Sequence, residues 1–498
     1  MLFTEPRFLF FFLPLCLLCY YLYPRQLKNT CLLTASILFY GLGEGFYTAV
    51  VIVSIIFNYF QGHFIDMKDD PKWRKQTLAF GIICNLLLLI VFKYAGFVVD
   101  NINALTSLAH IHAIPHPRMH LPVGISFYTF HALSYLTDIY RREVKPMRRF
   151  DSFALYITLF PQLVAGPIIR YKTICDQFEI ATPTAGGGMT KGRIHSFQNF
   201  AEGIRRFIFG FGKKMLIADT CAAVADAIFN VPHGGITPSA AWLGILCYTA
   251  QIYFDFSGYS DMAIGLGRMF GFVFPENFNY PYIARSITEF WRRWHISLSS
   301  WFRDYLYIPL GGNRVSPART YLNLLIVFFL CGMWHGATWN FVIWGLFHGA
   351  FLILERAGFG KLLEKCPRPL QHAYVLLVVM IGWVPFRAET LPDTLSFLAK
   401  MFYLTPATAT DATPALFLNN QVLIALLAAL VGSIPWLPPL RRWWQGRLES
   451  PGLTGAAGST FAALFARTIE LASLALVFFA SVSLAAAGTY SPFIYFRF

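Results

Sequence analysis

Apolar runs of nearly the same length, separated by short polar breaks, recur from one end of the chain to the other. The clearest are Phe8 to Tyr23, Thr30 to Leu42, Phe46 to Phe60, Leu78 to Val99, Leu121 to Tyr140, Ala241 to Gly258, Tyr321 to Met333, Phe341 to Leu354, Tyr374 to Pro385, Leu416 to Ile434 and Phe461 to Ala486. A transmembrane helix needs about 20 apolar residues, so the pattern predicts an all-α, polytopic membrane protein. Eleven or more transmembrane or re-entrant helices are expected, the shorter runs as tilted or partial spans. The first run follows only Arg7, and no small-residue cleavage site precedes Arg25 and Lys28, so it reads as a retained span rather than a removed signal peptide. Internal repeats of the transporter kind are not evident. Short pieces such as Ala185 to Gly188 and Gly452 to Thr460 read as loops, and one membrane domain over residues 1–498 is the simplest organisation.

Lys and Arg in short loops stay on the cytoplasmic side, which orients the runs. Loops 24–29, 63–76 and 141–149 are basic, and alternation places all three inside when the N-terminus lies outside. Lys361, Lys365 and Arg368, then Arg441, Arg442 and Arg447, continue the alternation and leave the C-terminus outside as well. Between residues 151 and 240 the alternation fails, and re-entrant and spanning segments both remain open there.

Composition agrees with a membrane class. Hydrophobic residues make up 56% of the chain and charged ones 13%, half of the roughly 25% typical of soluble domains. The net charge of +14 sits in short runs between apolar stretches, such as Arg141, Arg142, Lys145, Arg148 and Arg149. Such runs report orientation, and no nucleic-acid partner is expected. The nine cysteines are scattered, and the Cys16/Cys19 pair lies within an apolar helix with no second pair. Neither a disulfide framework nor a zinc site is indicated.

Intramembrane polarity is concentrated between residues 121 and 350. The segment QIYFDFSGYSDMAIG at 251–265 sets Asp255 and Asp261 in an apolar run. A carboxylate at the bilayer centre costs about 2.5 to 3.5 kcal/mol, so each must face a partner or a cavity, as a structural ion pair or as a site. The stretch GYSDM at 258–262 lacks the final glycine of a nucleophile elbow. From Ser286 to Tyr305 helical spacing predicts one amphipathic element, with Phe290, Trp294, Leu298 and Trp301 on one stripe and Arg292, His295, Ser299 and Arg303 on another. Glu289 is placed to pair with Arg292 or Arg293, and Pro309, Gly311 and Gly312 end the element. An interfacial helix without chemistry is the plainer reading of that segment. His335 lies between two apolar runs, flanked by Gly332 and Gly336, which allow the backbone to bend and other groups to come close. A histidine at membrane depth is a functional candidate by default.

Several motifs taken together, LPVGISFYTF at 121–130, FPQLVAGP at 160–167, the Asp255 segment, FWRRWHISLS at 290–299, YIPLGGNR at 307–314 and MWHG at 333–336, resemble the membrane-bound O-acyltransferase family. The resemblance is narrower to its bacterial alginate O-acetyltransferase branch and extends to the closing SPFIYF at 491–496. It implies helices around a buried polar tunnel, with His335 at the position of the catalytic histidine and His295 at that of a second, upstream polar site residue. It also implies a periplasmic hydrolase-like acetyltransferase partner and a polysaccharide synthesis and secretion system in a bacterial inner membrane. Arg268, a charge in GLGRMFG at 265–271, has no role on this reading.

The chemistry is consistent with the likeness. A hydroxyl attacks a thioester poorly until its proton is removed, and a histidine, ordinarily titrating near 6.5, is the natural general base. The thiolate leaving group, from a thiol of pKa about 8.5, needs little help from an acid. His295 would hydrogen-bond the thioester oxygen or orient the acceptor. No metal and no permanently bound cofactor is required. Acetyl-CoA is the expected donor substrate, with Arg292, Arg293, Arg303 and Lys213 as candidate cations for its phosphates. Snorkelling at the interface is the alternative for those four. His110, His112, His116 and His120 read as an interfacial loop rather than a metal site. The rival functions are a transporter or polysaccharide-export component, which should show paired broken helices in two halves, a scaffolding subunit, and a D-alanyl transfer protein of the same family.

If Arg319 marks the cytoplasmic boundary, His335 lies fourteen residues beyond Tyr321, or about 21 Å along the helix axis. In a hydrocarbon core about 30 Å thick that places it past the midplane, at the turn of a hairpin returning to Leu354.

Overall fold

The computed structural model describes residues 1–117, 119–180, 191–231, 235–436, 439, 456–488 and 493. The loop at Ala185 to Gly188, residues 452–455 of the Gly452 to Thr460 stretch, the cations Arg441, Arg442 and Arg447, and most of the closing 491–496 motif lie outside them, while residues 456–460 are helical rather than the expected loop. The described residues are helical throughout, with two isolated β-bridges and no strand.

In chain order the helices are α1 (Leu13–Leu22), α2 (Lys28–Glu44), α3 (Thr48–Met67), α4 (Pro71–Leu89), α5 (Ala95–Ser107), α6 (Ile125–Tyr140), α7 (Phe150–Thr158), α8 (Phe160–Leu163), α9 (Tyr171–Ile174), α10 (Phe197–Gly212), α11 (Asp219–Phe229) and α12 (Pro238–Met269). There follow α13 (Ile287–Arg293), α14 (Ile296–Phe302), α15 (Pro317–His335), α16 (Trp339–Leu354), α17 (Gly360–Lys365), α18 (Arg368–Arg387), α19 (Leu391–Met401), α20 (Asn420–Gly432) and α21 (Ala456–Ala486). Six segments among the described residues are long and apolar enough to cross a membrane: Arg25–Met67, Pro71–Ser107, Pro317–His335, Trp339–Lys365, Arg368–Arg387 and Arg467–Ala486. Phe8–Leu22 and Asn420–Gly432 are shorter apolar helices.

The remaining apolar runs are interior rather than lipid-facing. Helix α12 extends the expected Ala241–Gly258 segment to 32 residues and is buried along nearly its whole length. It packs against α10 through reciprocal glycines. A methyl added at Gly203 or at Gly258 would stand 2.7 Å from the carbonyl oxygen of Gly265 or Gly210 opposite, so the two backbones meet with no side chain between them. The 151–240 stretch resolves into two parts. Residues 150–174 form short buried helices with a bend at Leu159. Residues 197–229 run as α10, a π-helical link at Lys213–Ala218, and α11.

The expected single element over 286–305 is corrected by the structure. Helix α13 ends at Arg293, Trp294 is extended, and His295 takes a left-handed conformation (φ 43°, ψ 54°) before α14 begins. The cause is a competing backbone pairing. Asn279 N–H donates to Arg293 O (2.9 Å) and Ile296 N–H to Asn277 O (2.9 Å), so the 277–279 strand of chain takes bonds that a continuous helix would have used.

The three basic loops converge. A cavity of about 940 Å³ is lined by Arg25 from the first, Asp66 and Asp69 from the second, and Arg142, Lys145 and Arg148 from the third. Their placement on one face is the arrangement that alternation of the spans requires.

Candidate active site

His335 is the last residue of α15, and Gly336 leaves the helix in an extended conformation. Helix α16 then returns against α15. Their crossing is tight because a methyl at Gly332 would meet the Phe341 carbonyl and one at Gly345 the Phe328 carbonyl. Small residues at such a crossing let two membrane helices approach closely. The hairpin read from the sequence is therefore present, with the histidine at its turn.

The His335 ring is buried among aromatic rings. Its centroid lies 5.0 Å from Trp334, 4.9 Å from Trp344 on α16 and 5.1 Å from Phe386 on α18, all near edge-to-face. Trp334 leads to the second histidine, at 6.1 Å from the His295 ring. The same indole packs on Phe130 of α6 (5.6 Å), which stacks flat on Trp301 of α14 (3.8 Å, 6°). Four helices, α6, α14, α15 and α16, thus bring His295 and His335 against one tryptophan, although 40 residues separate them in the chain.

His295 is fully buried, and its orientation is set by Asn277. The Asn277 side-chain oxygen accepts from His295 Nδ1 (3.1 Å), Ser297 N (3.2 Å) and Ser297 Oγ (2.9 Å), while its Nδ2 donates to Ser260 Oγ on α12 (3.0 Å). Three donors on one oxygen assign the proton of a neutral His295 ring to Nδ1 and its lone pair to Nε2. Ser297 Oγ in turn accepts from Ile168 N (2.9 Å), tying this corner to the short buried helices of residues 150–174. Sequence reasoning missed Asn277, which lies in an unremarkable PENFN stretch at 275–279 with no spacing signal.

The predicted cations do not form one cluster. Arg293 binds Glu289 (2.8 Å), as the i,i+4 spacing predicts, and also the Asn279 carbonyl. Lys213 binds Asp261 (2.6 Å), which Arg206 also holds (2.8 Å). Arg292 is exposed. Arg303 binds Asp304 (2.7 Å), and there it meets Arg170, paired with the same carboxylate, and Arg141, which donates to the Asp304 carbonyl (3.0 Å). Two guanidiniums therefore share the Asp304 carboxylate and a third binds its backbone carbonyl, on the side of the basic loops.

The intramembrane carboxylates are ion-paired: Asp255 and Asp219 with Lys214, Asp261 with Arg206 and Lys213. Arg268 pairs with Glu202. In the histidine-rich loop His120 contacts Glu44 (3.1 Å) and His116 contacts Asp100 (3.4 Å).

Comparisons with known proteins agree with this architecture. Residues 134–379, which include the Trp334 centre, match the membrane-bound O-acyltransferase family. A protein of Azotobacter vinelandii named "Probable alginate O-acetylase AlgI" is 42% identical over the full length of both chains. A "Peptidoglycan O-acetyltransferase" of Helicobacter pylori is 36% identical over 80% of each chain. A "Teichoic acid D-alanyltransferase" of Streptococcus thermophilus is 26% identical over 62% of this chain and 70% of its own. With a polytopic helical body, a histidine pair around Trp334 and full-length identity of this order, the chain belongs to the membrane-bound O-acyltransferase family.

Proposed function

We propose that this chain transfers acetyl from cytoplasmic acetyl-CoA to a hydroxyl on the far side of a bacterial inner membrane, for O-acetylation of an exopolysaccharide such as alginate. The observation that carries the reading is the packing of both His335 and His295 against Trp334 inside a membrane protein, with His335 at the turn of a hairpin. In the proposed step a His335 ring nitrogen takes the proton of the acceptor hydroxyl as its oxygen bonds to the thioester carbonyl carbon. The tetrahedral intermediate collapses with cleavage of the C–S bond, and the thiolate leaves and recovers that proton. His295, with its lone pair on Nε2, serves as a hydrogen-bond acceptor that orients the incoming hydroxyl. No metal takes part in the step as written.

The donor's phosphates would meet Arg303, Arg141 and Arg170 on the cytoplasmic side, with Arg292 exposed nearby in sequence. Lys213 and Arg293, each held by a carboxylate, have a structural part in this reading. About eleven transmembrane or re-entrant helices would then enclose a polar tunnel joining the two faces. A periplasmic hydrolase-like acetyltransferase would receive the acetyl group or finish its transfer, together with polysaccharide synthesis and secretion machinery. Acetyl is favoured over D-alanyl because the acetylase relative matches the whole chain at 42%, against 26% over part of it for the D-alanyltransferase.

His335→Ala is expected to leave the protein inserted and folded while lowering O-acetyl content of the extracellular polymer by about 100-fold or more. Near-normal acetylation at normal protein levels would overturn the assignment and favour a scaffold or transport role.

A further inference from the structure

The last four carbonyls of a helix have no partner further along it and must be satisfied from outside. In α15 those carbonyls belong to residues 332–335, and each is accounted for. Gly332 O accepts from Gly336 N (3.2 Å). Met333 O accepts from the Tyr94 hydroxyl (2.8 Å). Trp334 O and His335 O both accept from the Lys93 ammonium, the latter at 3.3 Å. Two consecutive side chains of another helix therefore close the turn that carries both Trp334 and His335.

Lys93 and Tyr94 end the π-helical turn Ile90–Tyr94 between α4 and α5, and π-bulges are concentrated at functional sites. A lysine in the apolar run IVFKYAGF at 90–97 is costly to insert and calls for a compensating partner. Lys214, a buried lysine elsewhere in the interior, pairs with two carboxylates. Lys93 has no ion pair among the described residues. Its partners are the two α15 carbonyls and Ser126 Oγ (3.4 Å), and its ammonium lies 5.9 Å from the centre of the Trp334 ring. A cation at a helix C-terminus is favoured by the helix dipole, and charge-assisted bonds to carbonyls hold more firmly than neutral ones. Gly332 and Gly336 on either side of the terminal turn pack against Phe341 of α16, and Lys93 and Tyr94 hold the same turn through its terminal carbonyls.

We propose that Lys93 and Tyr94 are positioning residues for acyl transfer: together they clamp the final turn of α15 and so fix the depth and ring direction of His335. The inference rests on His335 being the general base, as proposed above. Lys93 acts through the backbone of His335 and needs no contact with substrate.

The test uses the full chain in the cell that makes the polymer, reading O-acetyl content of the secreted material, and purified protein titrated with acetyl-CoA. Lys93→Met is expected to lower acetylation about 100-fold, the scale of a misplacement near 1 Å at a reacting group. Membrane protein level and acetyl-CoA affinity should stay at wild-type values, since the donor is not what Lys93 holds. Lys93→Arg, which keeps a cation able to reach both carbonyls, should restore most of the loss, and Tyr94→Phe should give a smaller loss of about tenfold. Wild-type acetylation in Lys93→Met, alongside an inactive His335→Ala, would overturn the clamp while leaving the base. So would a fall in acetyl-CoA affinity that accounts for the whole defect, or an arginine variant as inactive as the methionine one. Normal acetylation in His335→Ala would instead remove the reading on which the clamp depends.

Discussion

Around Lys214 the interior holds opposite charges in direct contact, with Asp219 at 2.7 Å and Asp255 at 3.1 Å, all three side chains buried. Around His335 it holds a histidine among neutral rings, with a second histidine oriented by an amide. Both are polar groups in an apolar protein, and they solve the same cost differently. In the first, Lys214 lies in the α10–α11 link, Asp219 opens α11 and Asp255 lies on α12, so the contact fastens the link to α12. In the second, the polar atoms are oriented from behind, through Asn277 and the end of α15, so that ring nitrogens are set in place by groups other than a counter-charge. Charge compensation fastens helices here, and on the proposed reading the orientation of a histidine ring serves the chemistry.

The largest expected effect comes from breaking the charged cluster. Lys214→Met strands two buried carboxylates, and removing one partner of a buried ion pair typically costs about 3 to 5 kcal/mol. The expected outcome is a large drop in thermal stability of the purified protein and in its level in the membrane. Adding Asp219→Asn and Asp255→Asn should recover part of it, because neutral amides need no counter-charge. Unchanged melting of Lys214→Met would show that the cluster does not fasten α12 and would put it on the chemical side of the comparison.

A smaller effect on folding, with a larger one on activity, is expected from Asn277. In Asn277→Ala the Nδ1–H of His295, the Ser297 hydroxyl and the Ser260 hydroxyl lose a common partner. A buried polar group left unsatisfied costs about 1 to 3 kcal/mol. Stability should fall by that order, whereas acetylation should fall about 10- to 100-fold as His295 loses its orientation. Measured together, melting and polymer acetylation separate the two. Acetylation that falls only in proportion to protein level would make Asn277 a structural residue alone.

These two centres were unequally legible in the sequence. Asp255 and Asp261 stand out as carboxylates in an apolar run, and their pairing follows from the cost of burying them. His335 stands out for the same reason, and its flanking glycines announced the hairpin. The resemblance of 290–299 and 333–336 to one family brought the histidines into one site before any geometry. What could not be read is whatever depends on backbone pairing at a distance. The break at Trp294 and His295 contradicts a clean helical stripe because residues 277–279 bid for the same hydrogen bonds. Apolar length alone also does not separate a lipid-facing helix from a buried one, which is why α12 reads as an ordinary span and is in fact the central interior helix. Lys93 is likewise a charge in an apolar run, but its partners are carbonyls 241 and 242 residues away, which no local spacing reveals.

The smallest effect sharpens the comparison from the other side, at a charge that belongs to neither centre. Arg293 and Glu289 are an i,i+4 pair on α13, each about a quarter exposed, with the guanidinium also donating to Asn279 O. Pairs of this kind on a helix contribute about 0.3 to 0.5 kcal/mol, because solvent screens them and two long side chains must be ordered. Arg293→Gln keeps hydrogen-bond donors and removes only the charge. Melting temperature and acetylation should both stay close to wild type, and acetyl-CoA affinity should be unchanged if Glu289 is what Arg293 serves. Arg303→Gln, taken from the group of three guanidiniums around Asp304, should instead weaken acetyl-CoA binding measurably in the same titration. A tenfold loss of donor affinity in Arg293→Gln would move it into the donor site and would show that a carboxylate partner does not by itself exclude a cation from binding phosphate.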